Sequence, residues 1–134
     1  MMTSFQSGII AEASSDALFI TLNVNRSDIN AVKNALAAMP ALIEEHQAQF
    51  PDAQLHAAIG LSRLIWDDLD NQRPRHLSTF PNITGKEIDM VATDVDLILH
   101  IRSSRHDATY LLGSALFATF GNAVTLVDEV SCFK

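Results

Sequence analysis

With one cysteine, Cys132, the sequence can form no internal disulfide, so a packed core must hold the fold and a reducing, cytoplasmic setting is expected. Glycine and proline are sparse, 5 and 4 residues in 134, which excludes collagen-like and low-complexity chains. Positive charge is thin as well: 9 Lys and Arg stand against 16 Asp and Glu, for a formal net charge of -7. Such a chain has no basic stripe with which to hold nucleic acid or an anionic membrane. No apolar run approaches the ~20 residues of a membrane-spanning helix, and residues 1–8 lack the positive charge that opens a secretory signal. Walker loops, the G-x-G-x-x-G fingerprint and the G-x-S-x-G elbow are missing too.

What remains is 134 residues, 48% of them hydrophobic, enough for one domain with a sizeable core, so residues 1–134 are expected to form a single domain. Residues 17–24 alternate like a strand, with Leu18, Ile20, Leu22 and Val24 on one side and Ala17, Phe19, Thr21 and Asn23 on the other. Ser27 or Asp28 is the expected cap of a helix over 29–50. Its stripe is Ile29, Val32, Leu36, Met39, Ile43 and Phe50, with a kink or a break at Pro40. Residues 55–61 read as a second strand, with Leu55, Ala57, Ile59 and Leu61 inward, followed by a short helix capped by Ser62. Residues 70–93 contain Pro74, Pro81 and Gly85 without a sustained period, and predict a long surface connection with at most short turns. A third strand spans 95–102. A helix over 106–120 follows, opened by Ser103 or Ser104, stopped by Gly121 and packing on Ala108, Leu111, Leu112, Ala115 and Leu116. Residues 123–133 read as the fourth strand.

That order, β-α-β-β-α-β with an insert before the third strand, predicts an α+β fold of the ferredoxin-like type: a four-stranded antiparallel sheet with both helices on one face. Uninterrupted alternation places Phe19, Thr21, Ala58, Gly60, Ile98, His100, Thr125 and Val127 on the bare face, with Glu129 beside Val127. This surface is too apolar to stand in water. A second copy of the chain or a second domain is therefore expected to cover it, and Glu129 is expected to pair with an arginine of that partner.

The residues able to carry chemistry do not gather into a site. The histidines are His46, His56, His76, His100 and His106, and none lies three or four residues from another on a predicted helix, so no metal-ligating pair is read. His100, flanked by leucine and isoleucine on a strand, reads as an interface residue, with proton handling as its alternative role. Asp67, Asp68 and Asp70 lack the glycine and closing glutamate of a calcium loop. Asp128 and Glu129, as neighbours on a strand, point to opposite faces and form no carboxylate pair. Cys132 has no neighbouring His or Lys to activate its thiol. No catalytic, cofactor-binding or metal-ligating residue is assigned.

Several segments are nevertheless similar, in order and spacing, to one known family. They are Gln6-Ser7-Gly8-Ile9-Ile10, the first strand from Ala17 to Leu22, Ile65-Trp66-Asp67-Asp68-Leu69, and Leu77-Ser78-Thr79-Phe80-Pro81. To these add Asp96-Leu97-Ile98-Leu99-His100-Ile101-Arg102, Arg105-His106-Asp107, and Val127-Asp128-Glu129-Val130. Together they resemble the N-terminal half of the dye-decolourising (DyP-type) haem peroxidases over nearly the whole chain. The resemblance implies two ferredoxin-like halves with their sheets face to face, haem held mainly by the second half, and peroxide-dependent oxidation of dyes, phenols or porphyrins. It also implies a histidine iron ligand, a distal aspartate in a G-x-x-D-G motif and a distal arginine. None of the three has a match in this sequence, which reaches Lys134 about where the family runs on towards them. No haem is then expected to be held by this chain alone, and none of its residues inherits a catalytic role. Ser131-Cys132 departs from the His-Gly that the family more often shows there. Two other readings stand beside this one. Two copies pair as a non-catalytic dimeric α+β barrel, or the chain is a small cofactor-free monooxygenase of that barrel type with His100 as its one polar candidate.

Overall fold

The alternation of apolar residues places two strands at the centre of the molecule. In a computed structural model, which describes residues 5–134, the elements run α1 (Ser7–Ile10), β1 (Asp16–Val24), α2 (Ile29–Gln49), β2 (His56–Leu61), α3 (Arg63–Leu69), β3 (Ile83–Thr84), β4 (Asp89–Met90), β5 (Leu97–Ser103), α4 (His106–Phe120) and β6 (Val124–Phe133). The main sheet has four strands in the order β2-β5-β1-β6, every pair antiparallel. With α2 and α4 crossing one face, this is the ferredoxin-like arrangement read from the sequence.

The core lies between that face and the two helices. Leu18, Ile20 and Leu22 of β1 stand opposite Ile101, Leu99 and Leu97 of β5, all buried. Val32, Ala35 and Met39 of α2 and Ala108, Leu112, Leu116 and Phe120 of α4 close over them. Each fully buried Leu, Ile or Met contributes on the order of 1.5–3 kcal/mol, so this layer dominates the stability of the fold. On α4 the buried stripe is rotated from the expected one. Thr109 and Gly113 turn inward while Leu111 is exposed, because a side chain at Gly113 would run into Leu18 and Ile101 and only glycine lets the helix sit this close.

Helix α2 runs unbroken through Pro40, so of the two expected alternatives the break into two abutting helices does not occur. Pro40 is exposed and gives up only its own N–H, while Met39, Leu36 and Ile43 hold the flanking turns on the core. Asp28, one of the two expected positions, stands at the N-cap of α2 but makes no side-chain cap hydrogen bond. Asn25 instead caps the short 3-10 segment before it, accepting the Ser27 N–H at 3.3 Å. Ser62 caps α3 as expected, accepting from the Leu64 N–H at 3.2 Å. Ser103 does not cap α4. Its buried hydroxyl shares a 2.7 Å hydrogen bond with Thr109 and accepts the Arg105 N–H, while Ser104 donates to the Ala53 carbonyl. Residues 70–93 are the expected surface connection, save that they form the small β3–β4 ladder.

The β2 edge of the sheet is sealed by the chain's own N-terminal segment. The Gln6 side-chain amide imitates a neighbouring strand, donating to the Ile59 carbonyl at 3.0 Å and accepting the Ile59 N–H at 2.7 Å. Gly8 rests directly on the Ala57 carbonyl, where no Cβ fits, and Arg102 holds the segment by donating to the Gly8 and Ala11 carbonyls at 2.6 and 2.7 Å. Gly8→Ala is therefore expected to lift this strap without unfolding the core. In hydrogen exchange, the Ile59 amide should lose protection by about tenfold, the worth of one to two hydrogen bonds, while the Leu99 amide keeps its own.

Candidate functional site

Two features organise the uncovered side of the molecule, and the first is a buried charge at the end of the central strands. Asp96 is 4% exposed although it sits at the entry to an otherwise apolar strand. Its Oδ2 accepts the Val24 N–H at 2.8 Å and Arg26 Nη1 at 2.8 Å, and its Oδ1 accepts Arg26 Nη2 at 3.0 Å. Burial alone would push the Asp96 carboxyl up. The Arg26 and Val24 hydrogen bonds and the guanidinium charge outweigh that and hold it below its ordinary range. Alternation along 95–102 sets Asp96 on the side of Ile98 and His100, and no local pattern singles out Arg26. The available signal was a carboxylate inside a run of Val, Leu and Ile, which cannot be buried without a cation.

The second feature is the bare sheet face itself. Phe19 and His100 are cross-strand partners, and their rings stack with centroids 4.2 Å apart and planes 13° from parallel. Thr21 opposes Ile98, which is 36% exposed, and Ile98 opposes Gly60 on β2. Arg102 lies two residues along from His100. Its Nε is buried without an acceptor even though the rest of the guanidinium grips the strap. Burial in this apolar setting, and then the nearby Arg102 charge, hold the His100 ring below the ordinary histidine value.

On β6 the expected membership of the face is corrected. The register shifts between Thr21 and Leu22, leaving Val127 as the extra residue of a bulge. Beyond it the alternation is inverted. Asp128, Val130 and Cys132 share the bare face with Thr21, Phe19 and Ala17, whereas Glu129 stands opposite Ile20 on the helix side. An unbroken period from Thr125 to Glu129 puts Glu129 on the bare face, and the bulge moves it to the other; Val127, the unpaired residue, has no cross-strand partner. Thr125 keeps its expected place, opposite Asn23.

The other candidates are spread apart. His106 Nδ1 contacts Asp16 at 3.1 Å, His56 contacts the Ser7 hydroxyl at 3.3 Å, and His46 Nδ1 contacts the Leu42 carbonyl at 2.9 Å. Asp67 pairs with Arg63 and Arg73, and Asp68 with Arg26, so the acidic run is a set of surface ion pairs. A cleft of about 570 Å³ lies between α2 and β2 and is lined by Phe5, Leu36, Ile43, Gln47, Ile59 and neighbours, with no histidine among them. Among the described residues His56 and His106 line small cavities of about 230 and 190 Å³.

Sheet order and cover define a ferredoxin-like module with one helix-covered and one bare face. The family model described as Dyp-type peroxidase, N-terminal, matches residues 6–134, and the chain belongs to the DyP-type peroxidase family. It is 29% identical over 127 residues to the dye-decolorizing peroxidase of Mycobacterium tuberculosis, spanning 94% of this chain and 38% of that protein. The crystal structure of a dye-decolorizing peroxidase from Bacteroides thetaiotaomicron superposes with a TM-score of 0.86 at 30% identity, over 96% of this chain and 42% of that one. The encapsulated DyP-type peroxidase of Mycobacterium smegmatis gives 0.91 at 27% identity over the same shares. The chain thus spans about two-fifths of the length of these relatives.

Two outcomes follow. Arg26→Ala, which strands a buried carboxylate, is expected to cost about 2–4 kcal/mol in urea unfolding. Asp96→Asn should cost less, about 1–2 kcal/mol, because the half-exposed Arg26 is then served by water. The folded chain favours the neutral ring of His100. Its folded pKa lies below the unfolded one, so the unfolded chain takes up the proton first and the fold loses stability as pH falls below about 6.5. Thermal unfolding from about pH 7.5 to 5.5 should therefore show a smaller loss for His100→Phe than for the native chain.

Proposed function

We propose that residues 1–134 form the N-terminal ferredoxin-like domain of a cytoplasmic DyP-type haem peroxidase, supplying one sheet wall against which a second ferredoxin-like half docks. In this reading the haem, its ligand and the peroxide-handling groups belong to that second half. The chain alone is non-catalytic and holds no haem. The bare face of the main sheet carries the proposal. It is apolar around the Phe19–His100 stack, exposes Ile98 and Val130, and keeps the buried Arg102 Nε–H without an acceptor, as a surface made to be covered would. Family membership supplies the kind of cover, since the relatives named above are longer than this chain and are peroxidases by description. Among the described residues no helix is long and apolar enough to cross a membrane.

The test compares the chain alone with the chain continued through the reading frame downstream of the Lys134 codon. The continued protein is expected to load haem and to consume peroxide while oxidising a dye, and the chain alone to give no Soret band with added haemin. A stoichiometric, peroxidase-active haem complex of the chain alone would sink the proposal. A dimer in sedimentation that Ile98→Lys dissociates would favour the barrel of two copies instead.

A further inference from the structure

The helix side holds a second surface, independent of the peroxidase reading. Helix α4 packs over β1 and β5, and β6 beyond it stays exposed along most of its length. Between α4 and β6 runs an apolar groove with Ile20, Phe117 and Leu126 in its walls. It continues past Tyr110 and Glu129 into a cavity of about 190 Å³ that also holds Asp16, His106 and Ser131. Two carboxylates line it, Asp16 at its far end and Glu129 four residues along the ladder. Asp16 Oδ1 contacts His106, but Asp16 Oδ2 is buried and has no hydrogen-bond partner. Among the described residues Glu129 has no Lys, Arg or His within salt-bridge distance.

We infer that this groove receives an extended segment of a partner polypeptide that carries an arginine or lysine two residues from an apolar side chain. An extended chain puts residues two apart on one face. The cationic head then pairs with Glu129 in the groove wall, within the field of the Asp16 carboxylate further along, while the apolar neighbour lies on Leu126 and Phe117. Charge complementarity selects the occupant: an anion is repelled by both carboxylates, and a neutral side chain gains nothing from them. A metal ion fits less well, because among the described residues no three His, Cys, Asp or Glu converge to hold one. The bulge at Val127 makes the site, since it turns Glu129 to this side of the sheet.

The probes are the capped tripeptides acetyl-Arg-Ala-Leu-amide and acetyl-Leu-Ala-Arg-amide, with glutamine replacing arginine as control, titrated into the nitrogen-15-labelled chain. An arginine peptide is expected to shift the Asp16, Glu129 and Ser131 amides saturably. Its affinity should fall at least tenfold in the Asp16→Asn, Glu129→Gln double variant, whose spectrum reports that it is folded, and should weaken with added salt. The absence of any shift at about 5 mM peptide, where a ~1 mM dissociation constant would fill about four-fifths of the sites, would overturn the inference. Equal binding of the glutamine peptides would overturn it too, leaving a merely apolar groove. So would a concentration-dependent dimer that the double variant dissolves, which would give the groove to a second copy of the chain.

Discussion

Asp96 is the constraint on which the architecture hangs. It joins three chain segments: its N–H donates to the Leu22 carbonyl at 3.1 Å, its carbonyl accepts the Ser62 N–H at 2.9 Å, and its carboxylate accepts the Val24 N–H. A carboxylate this deep is tolerable only with a cation beside it. The chain must therefore turn sharply after β1 to bring Arg26 back, and Asn25 makes that turn. Arg26 then reaches on to the Leu64 carbonyl and to Asp68, so the same guanidinium fixes α3 against the strand ends. The 70–93 connection leaves from α3 and returns beside Asp96, which is why its exposed residues can wander without disturbing the sheet.

The two ends and two faces of the sheet are treated unequally. One edge, β2, is closed by the chain itself through Gln6, Gly8 and Arg102. The other, β6, is left with Leu126, Val127, Val130 and Phe133 exposed. An exposed apolar edge invites association with other chains, and Asp128 and Glu129 in its middle temper that for like copies by placing like charges on the strand. The edge is thus hospitable to a basic partner and hostile to an identical edge strand, a selectivity that apolar surface alone does not give.

Much of this was legible in the sequence because it depends on local period. Leu18, Ile20 and Leu22 against Leu97, Leu99 and Ile101 is a pattern of alternation, and each of these residues is buried as the alternation demands. The helices α2 and α4 followed in the same way, and the Gln6–Gly8 motif was visible as part of a family resemblance though its physical role was not. What escaped were the features set by long-range geometry. Arg26 meets Asp96 across 70 positions of sequence, Gln6 meets Ile59 across 53, and no window of residues contains either pair. Leu111 was misplaced for a related reason: which way α4 rolls is decided by the absence of a side chain at Gly113 against β1, and not by the period of α4.

The bulge at Val127 shows how one residue outside the alternation can separate two functions. Without it, Glu129 would share the face of Phe19 and His100 and set a charge in the middle of the surface that must be buried, where an unpaired carboxylate is costly. With it, Val130 comes opposite Phe19 beside the ring stack, Glu129 passes to the groove beside α4, and Asp128 takes a place on the bare face one pair further along, opposite Thr21. Strand β6 can carry both characters because it lies at the edge, pairs only with β1, and can absorb an extra residue without breaking a second ladder. The same insertion in β1 or β5, each paired on both sides, would force two registers to shift at once and misalign the leucines and isoleucines of the core. The position of the bulge is therefore dictated by the strand order, and the passage of Glu129 to the helix side, with Val130 set against Phe19, follows from it.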